Sequence, residues 1–219
     1  MFEKLKAKLK ELQAQAEKQF DSSQFNDPVA LKTKWLPLKP GGANFKTNAL
    51  VKVSSSVYCY QPSTGGKLFI GLFAGIGIIV IIVGLNMLIN GGVSAGFFPI
   101  LFGSIFAGVA FFTYRTIAMP KVFDSSLGFF WIGHKQPGFS GDQKTDKNKL
   151  IYFNEIHALQ ILSERIRSKN GSYYSYEINL VMKDASRYNL VDHGNYAQIR
   201  VDAELLAEMM AIPIWDVST

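Results

Sequence analysis

The chain has 219 residues, of which 48% are apolar and only 18% charged, with a formal net charge of +6; ordinary soluble domains carry roughly 25% charged residues. From Leu68 to Tyr114 there is no Asp, Glu, Lys or Arg, a run too long and too apolar for the core of a soluble domain of this size. The single cysteine, Cys59, excludes an internal disulfide framework and a multi-cysteine metal site.

Residues 1–25 read as a basic amphipathic helix. Phe2, Leu5, Leu9, Leu12 and Ala16 recur at helical spacing, and Lys4, Lys6, Lys8 and Lys10 cover other faces. Such a helix can lie on the inner leaflet with its lysines at the headgroups, pair as a short coiled coil, or remain frayed in water. Residues 26–43, with Pro28, Pro37, Pro40 and Gly41-Gly42, predict an extended linker. Residues 44–62, rich in Val and Tyr, read as one or two strands.

The charge-free run predicts a transmembrane helical hairpin over 67–117, with spans 67–89 and 95–117 and a turn at Asn90-Gly91-Gly92-Val93-Ser94. The first span holds fifteen Leu, Ile, Val or Phe residues, contributing on the order of −5 to −9 kcal/mol towards insertion. Gly71 and Gly75, together with Gly103 and Ala107, are expected to pack the spans against each other, a homodimer interface being the sharper alternative. The apolar run starts too far into the chain for a signal peptide.

The excess positive charge lies entirely before the hairpin: residues 1–67 carry eleven Lys against five acids. Lys52, Lys67, Arg115 and Lys121 flank the hairpin, whereas its turn is uncharged. The positive-inside rule then puts both termini of this multi-pass chain in the cytoplasm. No nucleic-acid partner is expected, because the basic segment has no Arg and its charge suits anionic lipid.

Residues 120–219 predict a β domain with a C-terminal helix. Asp124 to Gly128 is a turn between Val122-Phe123 and Phe129-Phe130-Trp131-Ile132. Gln136–Asn148 is a polar loop. Leu150–Phe153 and Ala158–Ile166 are strand candidates, and Asn170-Gly171 is a hairpin signal. Tyr174, Tyr176, Ile178, Leu180 and Met182 alternate along one strand face, and Tyr188 and Leu190 continue a further strand. A helix over 196–211 carries the stripe Ile199, Ala203, Leu206 and Met210, with Arg200 and Glu204 spaced to pair. Pro213 stops it, and Ile214 and Trp215 are expected to fold back onto the sheet.

Both ends of the hairpin emerge on one side, so strands before and after it can share a sheet. The expected fold class is an α+β membrane protein: a two-helix transmembrane hairpin inserted in a PH-like antiparallel β-sandwich or barrel capped by a C-terminal helix.

Several segments carry a family likeness over roughly 45–216. They include Lys67-Leu68-Phe69, Val122-Phe123-Asp124…Gly128…Phe130-Trp131, Ile156-His157-Ala158-Leu159-Gln160, Asn189-Leu190-Val191-Asp192-His193-Gly194 and Ala211-Ile212-Pro213-Ile214-Trp215-Asp216. In these the chain resembles a group of uncharacterised bacterial two-span inner-membrane proteins, which implies a cytoplasmic PH-like domain and brings no activity. A looser, architectural similarity is to the photosystem I assembly protein family.

The best single candidate for partner or ligand binding is Asp192-His193-Gly194-Asn195, where Gly194 suits a positive φ and Asn195 or Asp192 can cap the following helix. Arg165, Arg167 and Lys169 form a basic cluster at a hairpin end, either simply solvated or a candidate lipid contact beside Lys4, Lys6, Lys8 and Lys10. His134, His157 and His193 show no ligand spacing. With no Gly-x-Ser-x-Gly, P-loop or Cys–His pair, no catalytic residue, cofactor or metal is expected. The leading expectation is a membrane-anchored adaptor, scaffold or assembly factor presenting its cytoplasmic domain to a protein partner. A lipid- or ligand-sensing module is the runner-up, and a small membrane enzyme stands third.

Overall fold

The computed structural model describes residues 20–137, 150–168 and 171–218. The segment expected as a basic helix, with Lys4, Lys6, Lys8 and Lys10, most of the expected 136–148 loop, and Lys169 lie outside the described residues. The described residues are α+β: two antiparallel-based sheets, two long apolar helices and one further α-helix.

The first sheet is a five-strand meander of β1 (Asn48–Lys52), β2 (Val57–Pro62), β3 (Lys121–Asp124), β4 (Phe129–Ile132) and β5 (Leu150–Tyr152), each hydrogen-bonded to the next. The helical hairpin lies between β2 and β3, which nevertheless pair directly, Tyr58 opposite Phe123 and Tyr60 opposite Lys121. At the β3–β4 turn the Asp124 carboxylate accepts from the amides of Ser126 and Leu127, and Gly128 takes φ +72°. That is the Asp…Gly turn predicted there.

The second sheet has the order β8-β7-β6-β9, from β6 (Ile156–Ser168), β7 (Gly171–Met182), β8 (Arg187–His193) and β9 (Ile214–Asp216). β9 runs parallel to β6, with Trp215 opposite Gln160. This departs from the all-antiparallel expectation. The two sheets stay separate and no barrel closes, which corrects the barrel alternative.

The first two helices are α1 (Thr64–Gly91) and α2 (Val93–Ile117). The expected five-residue turn shrinks to Gly92, whose φ of +81° reverses the chain, while its carbonyl accepts from the amides of Ala95 and Gly96. Ser63 caps α1 by accepting from the Gly66 amide. Small residues recur every seven positions on the facing sides, Gly77 and Gly84 on α1 and Gly96, Gly103 and Ala110 on α2, and all are buried. A seven-residue period keeps one seam facing the partner helix. A Cβ on Gly103 would lie 2.8 Å from the Gly77 carbonyl oxygen, so glycine permits this close approach. The outside of the pair is uncovered: Ile79, Ile89, Phe98 and Phe112 are 63%, 81%, 72% and 69% exposed.

The last helix, α3 (Tyr196–Met210), buries Ile199, Ala203, Leu206 and Met210, the stripe read from sequence. It ends at Ala211 in the left-handed conformation, just before Pro213. Arg200 pairs with Glu204 at 2.8 Å and also reaches Asp216 at 2.9 Å. The main core lies between α3 and the inner faces of the two sheets: Tyr60, Phe123 and Phe130 meet Leu159, Ile161, Ile178, Leu180 and Leu206, all at most 1% exposed. Each such side chain contributes about 1.5–3 kcal/mol on burial.

Segment 26–43 is held against the second sheet along its length, where a linker was expected. Asp27 opens a turn by accepting from the Val29 amide at 2.7 Å. Ala30 then buries against Ala158, Val181 and Trp215 on the outer face of the sheet, with Phe25, Val29 and Trp35 packed alongside. Trp35 stacks on Phe25 at 5.1 Å and lies 5.7 Å from Trp215.

Candidate functional site

Beyond Trp35 the strap climbs a row of polar side chains on the outer face of the second sheet. Glu177 and Asp192 are direct cross-strand partners on β7 and β8. Glu177, 4% exposed, accepts from the Leu38 amide at 2.7 Å, the Lys39 amide at 3.3 Å and the Asn179 side chain at 2.6 Å. Glu164 of β6 accepts from the Gly41 amide at 2.9 Å, and Asp192 from the Ala43 amide at 2.9 Å. Tyr173 donates to the Gly42 carbonyl and Ser175 to the Ala43 carbonyl. Three carboxylates on neighbouring strands would repel one another; main-chain N–H donors compensate them with charge-assisted hydrogen bonds.

The predicted hotspot sits where this strap leaves the sheet. Asp192 holds it, and Gly194 passes against it: the Gly194 amide donates to the Asn44 carbonyl at 3.2 Å, and a Cβ at Gly194 would lie 2.5 Å from that oxygen. Gly194 does not adopt a positive φ. The glycine is required by close approach of two backbones, which corrects the reason expected for it. Asn195 caps α3 by accepting from the Gln198 amide at 3.1 Å, as expected.

His193 turns inward and is fully buried. Its Nδ1 accepts from the Asn195 amide at 3.2 Å, so the neutral ring carries its proton on Nε2, which is buried without a partner among the described residues. Burial above all, and then the charge of Lys46, hold its pKa down at about 4, while Asp192 pulls the other way. Asp202 of α3, 1% exposed, accepts from the Gln198 side chain at 2.8 Å, and burial raises its carboxyl. Burial, with Asp202 close by, pushes the Tyr60 hydroxyl up. Lys121 crosses from β3 to donate to the Leu190 carbonyl; burial first, and Lys39 second, lower it to about 8.

The other histidines lie apart. His157 bonds Asp27 at 2.7 Å under the strap. His134 borders a cleft of about 460 Å³ between the outer face of the first sheet and the end of α2, lined also by Cys59, Gln61, Tyr114 and Pro120. Burial pushes the Cys59 thiol up, so it is a poor nucleophile. Among the described residues no group of three or more His, Cys, Asp or Glu is placed to hold a metal.

Arg165 and Arg167 lie exposed near the tip of the β6–β7 ribbon. Gly103 and Ala107 pack against Gly77, as expected of them, but Gly71 and Gly75 have nothing within 4 Å of a would-be Cβ. The reading that these two pack the spans together is corrected: the seam follows the seven-residue register of Gly77 and Gly84, and Gly71 and Gly75 fall on another side of α1. That register was present in the sequence as a repeat of small residues. The carboxylate row carried no comparable signal, because its partners are main-chain amides far away in sequence.

The arrangement is suited to gripping an extended main chain. Comparison of the chain with protein-family models, curated proteins and solved structures returns no match.

Proposed function

We propose that this chain is a membrane-anchored adaptor: α1 and α2 cross the bilayer, and the sandwich, a PH-like domain, stands on the cytoplasmic side of a bacterial inner membrane and presents itself to a protein partner. One observation carries the reading. The hairpin leaves the end of β2 and returns into β3, and those strands are hydrogen-bonded neighbours. The sandwich is therefore mounted on the helices by a ladder of its own core sheet, and no flexible tether intervenes. Ser63, which caps α1, also donates to the Lys46 carbonyl at 2.5 Å, and the Asn48 side chain reaches the Ile117 carbonyl at 2.8 Å, fixing both helix ends to the sheet.

The apolar exterior of α1 and α2 supports the bilayer assignment: at 28 and 25 residues they measure about 42 and 37 Å, more than the roughly 30 Å of hydrocarbon. A domain held at the surface meets its partners in two dimensions, where effective concentration does much of the work of affinity.

The reading is tested in two steps. Thiol labelling of intact cells should modify Val93→Cys from outside and leave Lys183→Cys protected; the reverse pattern overturns the topology. Purification in mild detergent should then recover one stoichiometric partner; repeated recovery of the chain alone overturns the adaptor role.

A further inference from the structure

The β6–β7 ribbon outruns its sheet. β8 makes its last pairing at His193 opposite Tyr176, and β9 its last at Asp216 opposite Ile161. Beyond these points β6 and β7 pair only with each other, from Glu164 opposite Ser175 to Ser168 opposite Gly171. From Tyr176 to Gly171 the ribbon extends about 17 Å, at roughly 3.3 Å per residue.

It extends towards the end of the sandwich from which the helices emerge. The strap leaves the sheet at that end: it crosses from Glu177, which holds Leu38, to the facing Asp192, which holds Ala43, and then bonds Gly194, beyond His193, at Asn44. Two residues later Lys46 receives the hydroxyl of Ser63, the α1 cap. The ribbon tip and the helix bases thus share one side of the domain. Lys67, the last charge before the apolar run, is about one helical turn beyond Ser63. A ribbon of this reach therefore arrives at the level of the headgroups.

Its exposed face is suited to that level. Arg165 stands opposite Tyr174, and Arg167 opposite Ser172, so their side chains share one face. Tyr174 is 49% exposed and stacks towards Tyr176 at 6.4 Å. Among the described residues Arg165 bonds the Ser172 hydroxyl at 3.2 Å, and neither arginine forms an ion pair. The nearby acid, Glu164, points to the opposite face and is taken by the strap. Arginine binds phosphate through a planar fork of donors, and tyrosine favours the boundary between hydrocarbon and water.

We propose that this face of the ribbon, built from Arg165, Arg167 and Tyr174, is a lipid-contact finger that binds the phosphate headgroups of anionic phospholipids beside the hairpin. The proposal rests on the membrane reading above and adds a second point of attachment. With it, the sandwich is fixed in tilt as well as in position.

The test uses the full chain in vesicles, with Cys59→Ala removing the native thiol and a fluorophore attached in turn through Ser172→Cys, Lys183→Cys and Ile79→Cys. Ser172 is exposed opposite Arg167, and Lys183 follows the other end of β7. Headgroup-labelled quencher lipid should quench the Ser172 label and spare the Lys183 label. Replacing phosphatidylcholine by phosphatidylglycerol should raise the docked-to-undocked ratio roughly thirtyfold, and the pair Arg165→Glu and Arg167→Glu should abolish that gain. Equal quenching at Ser172 and Lys183, with the Ile79 label quenched by chain-labelled lipid, overturns the finger and leaves the hairpin in the membrane. An unquenched Ile79 label overturns the membrane reading and the finger with it.

Discussion

Cys59 and Val122 face each other across one antiparallel ladder, although the whole helical hairpin separates them in sequence. The pairing makes the hairpin an insertion into a sheet rather than an appendage to it. Stability of the sandwich and orientation of the helices are consequently linked through β2 and β3.

Phe123 is the first place to test that link. It is fully buried between Tyr58 and Phe130 on the ladder and packs on Phe130 at 4.7 Å. Phe123→Ala should cost about 3–5 kcal/mol through lost burial and the cavity left behind. Denaturant unfolding in detergent measures it, and a cost below about 1 kcal/mol would refute the central position given to this side chain.

The helix seam predicts a contrast between two glycines of similar setting in sequence. Gly103→Leu drives a side chain into the backbone of α1 and should destabilise the hairpin by about 1–3 kcal/mol or more. Gly71→Leu meets open space and should stay within about 0.5 kcal/mol. Thermal melts of the two variants in the same detergent decide the matter.

The strap should loosen when its carboxylate grip weakens. Glu177→Gln keeps the shape and removes the charge that assists the bonds to Leu38 and Lys39, a loss of about 1.5–3 kcal/mol. Hydrogen exchange at those two amides should accelerate roughly tenfold to a hundredfold, while amides in α3 keep their protection.

Acid sensitivity follows from His193. Its folded pKa of about 4 lies below the ordinary 6.5 because burial disfavours the charged ring. The unfolded chain therefore binds the extra proton first. The neutral ring's contribution is complete above pH 6.5, drains away as the pH falls towards 4, and changes no further below that. Asp202, raised by burial, has the opposite sign, since its protonated form is favoured by folding. His193→Gln leaves Asp202 in place, so melting temperature against pH should flatten between 6.5 and 4 relative to the parent. An unchanged slope would show that the ring is not held neutral.

The parts of this fold legible in sequence are those written in local patterns. The absence of charge from Leu68 to Tyr114 announces two long apolar helices, and the alternation from Tyr174 to Leu180 announces a strand. The spacing of Ile199, Ala203, Leu206 and Met210 announces a helix with one buried face. Common emergence of the hairpin ends led to β2 and β3 sharing a sheet. What escaped was written at a distance. Phe25 and Trp35 follow no period, and their partner Trp215 lies near the other end of the chain. The candidate residues 192–195 were found by their turn chemistry, but their roles came from Asn44 and Ala43, which no spacing connects to them. The parallel placement of β9 depends on where Pro213 releases the chain after α3, and on the β6 edge waiting there.

The amides held by the acidic row are those of Leu38, Lys39, Gly41 and Ala43; Pro37 lies just before them and Pro40 between them, and neither takes a held position. The carboxylates recognise the peptide unit, not the letter attached to it. Such hydrogen bonds place no demand on the side chain of the residue they hold, only on its N–H. Leu38, Lys39 and Ala43 are thus held through their backbone alone, whereas Gly41, at φ +82°, and Gly42, whose Cβ would lie 2.3 Å from the Ser175 hydroxyl oxygen, are fixed as glycines; a new proline at any of the four held amides would break the course of the strap.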